Sequence, residues 1–288
     1  MAKAETIVIT GASGQLGRLV LAQLRAAAPA AHIVALARKP EALSGFPGIE
    51  VRAADYTSPE SLGPALTGAD KVLLISSSEV GQRFPQHRNV IDAARAAGVK
   101  LLAYTSLLRA DVSPMALATE HRQTEDYLTA SGLPHVVLRN GWYTENYLAS
   151  LGAALDHGAV LGAAGQGRIA SASRADYAAA AVAVLTSAGD QAGKIYELAG
   201  DEAYTLADLA AEIARQSGKP VVYKDLPEAD FRAVLVKFGL PSFLADILSE
   251  SDAKAAQGAL FDDSHSLSRL IGRPTTPLAT ALKAALAA

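Results

Sequence analysis

Seven residues, Gly11-Ala12-Ser13-Gly14-Gln15-Leu16-Gly17, directly follow the β-branched run Thr6-Ile7-Val8-Ile9-Thr10 and open a helical pattern that continues to Ala27. A glycine at the first position lets a chain turn sharply off a strand, and one at the second lets backbone approach a ligand closely. The third lets helix and sheet pack together. Bare N–H groups and the positive end of the helix dipole then face a common point, an arrangement that suits a pyrophosphate. The spacing is GxxGxxG rather than GxGxxG, so the context has to support it. A second β-rich run, 32–37, arrives at the distance that a strand–helix–strand unit requires. The pattern predicts a dinucleotide-binding unit with Gly11, Ala12, Ser13, Gly14, Gln15, Leu16 and Gly17 around the phosphates.

The second run ends at Arg38-Lys39, where a site specific for NADH usually carries Asp or Glu for the ribose 2′-hydroxyl. A guanidinium fork suits a 2′-phosphate instead, so NADPH is expected, with NADH as the weaker ligand. The competing reading of Arg38 is an exposed arginine at a strand end.

Strand-like runs recur at 49–53, 71–76, 99–105 and 133–138, separated by segments of helical period. This alternation predicts an α/β fold, a Rossmann-type doubly wound parallel sheet. Ser58-Pro59 should open a helix, Gly98 should close one, and Gly132 should close the helix that begins near Leu117. After Leu138 the rhythm changes to Asn140-Gly141-Trp142-Tyr143, a helix near 146–157 and a glycine-rich passage, 158–167. Two domains are therefore expected: a dinucleotide-binding domain over 1–139 and a smaller C-terminal α/β substrate lobe over 140–288. Segment 170–200, with its strand-like 195–199, is expected to return to the first. Ser173 to Asp176 and Thr205 to Asp208 have the hydroxyl-then-carboxylate spacing of a helix start. Phe231, Leu235 and Phe238, at helical spacing, are expected in the lobe's core.

In an open parallel sheet the ligand lies at the carboxyl ends of the strands where their order reverses. The ends of the first, fourth and fifth strands carry Thr10-Gly11, Ser76, Ser77 and Ser78, and Thr105-Ser106. These small hydroxyl residues leave room for a ribose and a nicotinamide and offer hydrogen bonds. None of the nine tyrosines has a lysine four residues later, so the acid pair of an ordinary short-chain alcohol dehydrogenase is missing. His121, with Glu125 one turn later, sits about where that lysine would point. It suits ribose binding or proton delivery, and equally a solvated helix pair with Glu125.

The chain has no cysteine, and His87, His135 and His157 stand isolated, so no metal site is expected. Asp262-Asp263 beside Ser264 reads as a turn. A net charge of −3 without a basic run disfavours nucleic acid. No apolar stretch approaches the roughly 20 residues of a membrane helix. The nearest, 178–184, reads as a buried helix, and no signal segment is evident, so a cytoplasmic protein is expected.

Three stretches resemble one family: Leu74-Ile75-Ser76-Ser77-Ser78-Glu79-Val80-Gly81-Gln82-Arg83, Leu138-Arg139-Asn140-Gly141-Trp142-Tyr143-Thr144-Glu145-Asn146-Tyr147 and Ala170-Ser171-Ala172-Ser173-Arg174-Ala175-Asp176-Tyr177. They are similar to the bacterial type-2 NAD(P)H:quinone oxidoreductases of the NmrA-like, atypical short-chain dehydrogenase group. The likeness runs over essentially the whole chain. It implies flavin-free, two-electron reduction of a quinone by NADPH through direct hydride transfer. Leu138, Arg139, Asn140, Gly141, Trp142, Tyr143 and Arg174 would be further cofactor contacts. Asn140, Trp142 and Tyr143 would meet the substrate, with Asn140 and His121 as the catalytic candidates. Isoflavone-reductase-like relatives carry lysine where His121 stands, so their catalytic scheme does not carry over unchanged, and solvent and His121 both stay open here as the proton source. Two rival functions stay open here: an NmrA-like redox sensor that binds NADP without turnover, and a reductase of other conjugated acceptors such as triarylmethane dyes. The expected assembly is a monomer or homodimer.

Overall fold

The structure, a computed structural model, describes residues 4–287. In chain order the first half runs β1 (Thr6–Ile9), α1 (Gln15–Ala27), β2 (His32–Ala37), β3 (Glu50–Ala53), α2 (Pro59–Leu66), β4 (Lys71–Leu74), α3 (Arg83–Ala96), β5 (Leu101–Leu107), α4 (Ala118–Ser131) and β6 (His135–Asn140). The second half runs α5 (Thr144–Leu148), α6 (Leu151–His157), β7 (Ala159–Gly162), α7 (Arg174–Thr186), β8 (Ile195–Leu198), α8 (Leu206–Ser217), β9 (Val222–Asp225), α9 (Glu228–Lys237), α10 (Ser242–Ala255), α11 (Ser266–Ile271) and α12 (Leu278–Leu286).

Seven strands form one sheet in the order β3-β2-β1-β4-β5-β6-β8, and the neighbours from β3 to β6 pair in parallel. Parallel strands buried on both faces read as continuous apolar runs, and all four residues of β1 are buried. The order reverses between β1 and β4, so the loops that follow these strands mark the switch point. On α1, Leu16, Val20, Leu21 and Leu24 recur at helical spacing and are buried. The core around the sheet includes Val8, Leu36, Leu66, Leu74, Leu102 and Tyr104.

The chain divides into two compact units. The first holds the residues to Ala110 together with Thr119–Asn140 and Arg174–Tyr196. The second holds Asp111–Ala118, Gly141–Ser173 and the residues from Glu197 onward. The division falls after Asn140 and the returning segment is 174–196. Segment 111–118, assigned to the first domain from the sequence, belongs to the second. Within the second unit most elements are helices, and β7 pairs in parallel with β9 as a separate two-stranded sheet. A reciprocal capping box starts α8: Asp208 N–H donates to Thr205 Oγ1 and Thr205 N–H donates to the Asp208 carboxylate.

Three expectations need correction. The helix foreseen near 146–157 is two helices, α5 and α6, because the Ser150 hydroxyl donates to the Tyr147 carbonyl at 2.9 Å at the break. Phe238 is not core: it is 56% exposed, whereas Phe231 on the same helical pattern is buried. β4 ends at Leu74, before the serines. Hydroxyls of the flanking strands take the next backbone donors, Ile75 N–H going to Thr10 Oγ1 at 3.2 Å and Ser76 N–H to Thr105 Oγ1 at 2.9 Å.

Candidate functional site

The turn after β1 uses two of its backbone donors within the protein, Ala12 N–H on the Leu36 carbonyl at 3.2 Å and Gly14 N–H on the Gly11 carbonyl, and it leaves the amino end of α1 without a side-chain cap. Gly11 has φ +58°, a conformation that side chains resist, and its carbonyl accepts from Gly14 N–H at 3.0 Å. A Cβ on Gly17 would lie 2.5 Å from the Gly11 oxygen and 2.7 Å from Ala12 Cα, so only glycine lets α1 start this close to the turn. Gly14 differs from both: its φ of −72° is ordinary, and an added Cβ would meet only the Gly11 oxygen, at 3.3 Å. The fold makes a weak demand for glycine there, whereas a ligand approaching the turn makes a strong one. No side chain caps the amino end of α1, and its first turn holds no acid. An uncapped, acid-free helix start beside a bare glycine fits a pyrophosphate.

Arg38 follows β2 with an exposed side chain, and its Nη1 lies 3.3 Å from Glu79 Oε1. Among the ends of the first, fourth and fifth strands, Thr10 and Thr105 are buried, and their hydroxyls organise the backbone that follows β4. That loop is also held from below. Ser77 N–H donates to His87 Nε2 at 2.9 Å, and Arg83 Nε donates to the Ser77 carbonyl at 2.7 Å. Because His87 Nε2 accepts a backbone proton, its own proton sits on Nδ1 and is donated to Thr124 Oγ1 at 3.0 Å. Thr124 passes its hydroxyl proton to the Glu120 carbonyl.

His121 is buried in the same network, with Nε2 3.2 Å from Arg83 Nη1 and Nδ1 2.7 Å from Tyr104 Oη. Arginine can only donate, so Nε2 accepts and Nδ1–H donates to the tyrosine oxygen. Burial, then Arg83, then His87 hold His121 well below the usual histidine range and keep it neutral. Neither a solvated helix pair nor a salt bridge to Glu125 is formed. Glu125 instead receives Arg139, with Nη2 to Oε2 at 2.6 Å and Nε to Oε1 at 3.1 Å, together with the Ser106 hydroxyl at 2.5 Å. The Arg139 guanidinium, counted among the cofactor contacts from the resemblance, is thus engaged with Glu125.

Asn140 ends β6 almost fully buried, and its Oδ1 has no hydrogen-bond partner among the described residues. A buried orphan acceptor is costly in a closed core and is explained where a ligand completes it. Arg174 opens α7, the helix that packs along α1, where Gln23 Nε2 donates to the Ala175 carbonyl at 3.0 Å.

In the second unit, Gly141 N–H donates to the Leu198 carbonyl at 2.7 Å, Trp142 is buried and Tyr143 is half-buried. Tyr143 bridges to Ala172 with parallel pairing, which fixes the backbone of this aromatic pair. Thr144, Ser171 and Tyr204 form a buried hydroxyl chain with spacings of 2.8 and 2.7 Å. Nearby, Asp252 accepts from Tyr147 Oη at 3.1 Å and from Ala163 N–H at 3.1 Å, and burial pushes its carboxyl up to about 6.

The sequence reading missed the inward-facing polar stripe of α3, Arg83, Gln86 and His87, which occupies the helix's buried face ahead of Val90 and Ile91. Polar residues at core spacing in a first helical turn were the available signal. No described residues cluster as a metal site, and no described helix is long and apolar enough to cross a membrane.

The buried imidazoles set a pH dependence. Burial, then Arg83, push His87 down to about 3, so below the unfolded value of about 6.5 the unfolded chain binds a proton that the folded chain refuses. Stability falls as pH drops from 6.5 towards 3 and is unaffected by His87 above 6.5. Between pH 7 and 5 the expected loss from His87 is about 2 kcal/mol. His121 acts in the same direction. Asp252, with its raised folded value, returns about 1 kcal/mol over that interval because the folded state there binds the extra proton. Urea unfolding at both pH values should show the net loss, and His87→Gln should show less; equal losses in the two proteins would remove His87 from the account.

Residues 11–188 match the family described as NAD(P)H-binding. Over 276 residues, 95% of this chain and 96% of the relative, the sequence is 60% identical to quinone oxidoreductase 2 of Escherichia coli strain K12. A crystal structure of the NADPH-dependent quinone oxidoreductase of Escherichia coli complexed with NADPH superposes with a TM-score of 0.94 at 58% identity, over 97% of this chain and 99% of that one. The triphenylmethane reductase of Citrobacter sp. superposes with a TM-score of 0.93 at 36% identity, over 98% of this chain and 100% of that one.

Proposed function

The chain belongs to the NmrA-like, NAD(P)H-binding family that includes the quinone oxidoreductases, and from that premise we propose that it reduces quinones to hydroquinones with NADPH, without a flavin. The observation that carries this reading is the bare amino end of α1, with its three glycines and with Arg38 after β2. Bound NADPH supplies the hydride, so that quinone, NADPH and one proton become hydroquinone and NADP.

The chain's own residues bind and orient. Gly11, Ala12, Ser13, Gly14, Gln15, Leu16 and Gly17 hold the pyrophosphate, and Arg38 takes the 2′-phosphate. Ser76, Ser77, Ser78 and Thr105 line the nicotinamide half, together with the backbone of Leu138, Arg139 and Asn140 and with Arg174. Asn140 offers a carbonyl acceptor and an amide donor to the carboxamide or to the acceptor's oxygen. Trp142 and Tyr143 supply flat surfaces against which a planar acceptor is held. A quinone accepts a hydride without prior protonation by a strong acid, so the proton comes from solvent. His121, neutral and engaged at both nitrogens, steadies Arg83 and through it the Ser77 backbone. In this account it is a positioning residue rather than a proton donor.

The test is steady-state loss of NADPH absorbance with a panel of quinones added to flavin-free protein. Stoichiometric hydroquinone formation is expected. Nucleotide binding with no turnover across the panel would leave the redox-sensor reading standing instead. The similarity to the Citrobacter enzyme favours one broader outcome, in which triphenylmethane dyes are also reduced. Trp142→Ala is expected to raise the quinone KM about tenfold while the NADPH Kd stays within about threefold. Unchanged quinone kinetics would return Trp142 to a packing role. We place the reaction in the cytoplasm and expect a monomer or homodimer, which sedimentation distinguishes.

A further inference from the structure

The residue after β2 and the loop after β4 flank the turn at the end of β1, because β2 and β4 are the two neighbours of β1 in the sheet. An ion pair joins them, Arg38 Nη1 to Glu79 Oε1 at 3.3 Å. Glu79 is held in this position. Its Oε2 accepts from Gln86 Nε2 at 2.7 Å, Gln86 is buried on α3, and the Glu79 N–H donates to Ser77 Oγ at 3.1 Å. The other carboxylate within Arg38's field, Asp55, is committed to its own turn: Oδ1 accepts from Thr57 N–H at 2.9 Å and from Thr57 Oγ1 at 2.8 Å. The Thr57 backbone, more than Arg38, keeps Asp55 below the usual carboxylate range.

On the reading of Arg38 as the 2′-phosphate ligand, we propose that Glu79 is a nucleotide-specificity residue that competes with the 2′-phosphate for Arg38 and thereby retains NADH as a usable cofactor. A dianionic 2′-phosphate at Arg38 has to displace the Glu79 carboxylate from the guanidinium and then sits beside it, so like charges oppose each other. A ribose 2′-hydroxyl meets no such repulsion and has a proton to donate to the same carboxylate. Glu79 therefore weakens NADPH and leaves NADH unharmed, compressing the ratio between them. Gln86 sharpens the effect by fixing the carboxylate rather than letting it swing into solvent.

The experiment measures the Kd of NADPH and of NADH by calorimetric titration for the wild-type protein and Glu79→Gln, at low and at high ionic strength. Glutamine keeps the size and an acceptor for Gln86, and the site is half-exposed, so the fold is retained. The expected result at low salt is a three- to tenfold tightening of NADPH, on the order of a screened charge pair. NADH should be unchanged or weakened, and the gain should shrink at high salt. Equal shifts for the two nucleotides, or an NADPH gain indifferent to salt, would overturn the proposal while leaving the cofactor site intact. If the wild-type protein bound neither nucleotide, the cofactor reading would fall and this inference with it.

Discussion

Gly17→Val should lose NADPH binding by a factor of about 100 or more, the cost of one misplaced set of charge-assisted contacts to the phosphates. The cause is backbone, not chemistry. A Cβ at this position would lie 2.5 Å from the Gly11 oxygen and 2.7 Å from Ala12 Cα, and neither atom belongs to a flexible side chain. The turn has to open, and the N–H groups at the start of α1 then no longer converge. The overpacking should also cost the fold about 1–3 kcal/mol, so thermal unfolding has to accompany the titration. Gly14→Ala separates the two effects: its added methyl meets one protein atom at 3.3 Å, so stability should hold while NADPH weakens. A folded Gly17→Val protein with a Kd within about threefold of wild type would remove the turn from the binding account.

Glu125→Ala should destabilise the protein by about 3–5 kcal/mol, the range for breaking a buried ion pair from one side. The side chains of Arg139 and Glu125 are only 7% and 12% exposed, and their contacts are bidentate. Removing the carboxylate takes away the group that the guanidinium grips while the arginine stays inside. Glu125→Gln, which keeps an oxygen for Arg139 and Ser106, should cost less. Chemical denaturation at neutral pH reads both. A loss of under about 1 kcal/mol for the alanine variant would mean that water reaches the pair and that it behaves as a surface bridge.

The Glu125 case shows where a sequence reading stops. His121 and Glu125 stand four residues apart on α4, and local spacing makes them partners. Strand register decides otherwise. Ser106 on β5 and Arg139 on β6 are direct cross-strand partners, and both reach Glu125, while His121 turns to Arg83 and Tyr104. No window of local sequence contains that register. The same holds for β4. Its apolar run continues to Ile75, but the strand ends at Leu74 because the hydroxyls of Thr10 and Thr105 take the next two backbone donors. Phe238 fits the apolar spacing of Phe231 and still lies in solvent, since periodicity identifies a face but not whether anything covers it.

What the sequence by itself determined is the class of fold and the place of the cradle. The bounds of α1 and β2 are those read from apolar periodicity, and the glycine turn lies between β1 and α1, because strand, turn and helix signals are local and agree with one another. What only the tertiary structure decided is the charge state and pairing of the polar groups behind it. His87 and His121 are neutral, Arg139 is spent on Glu125, and Arg38 is already opposed by Glu79. Burial and proximity between elements fix protonation and partners, and the partners in the Glu125–Arg139 and Arg38–Glu79 pairs stand 14 and 41 positions apart in the chain.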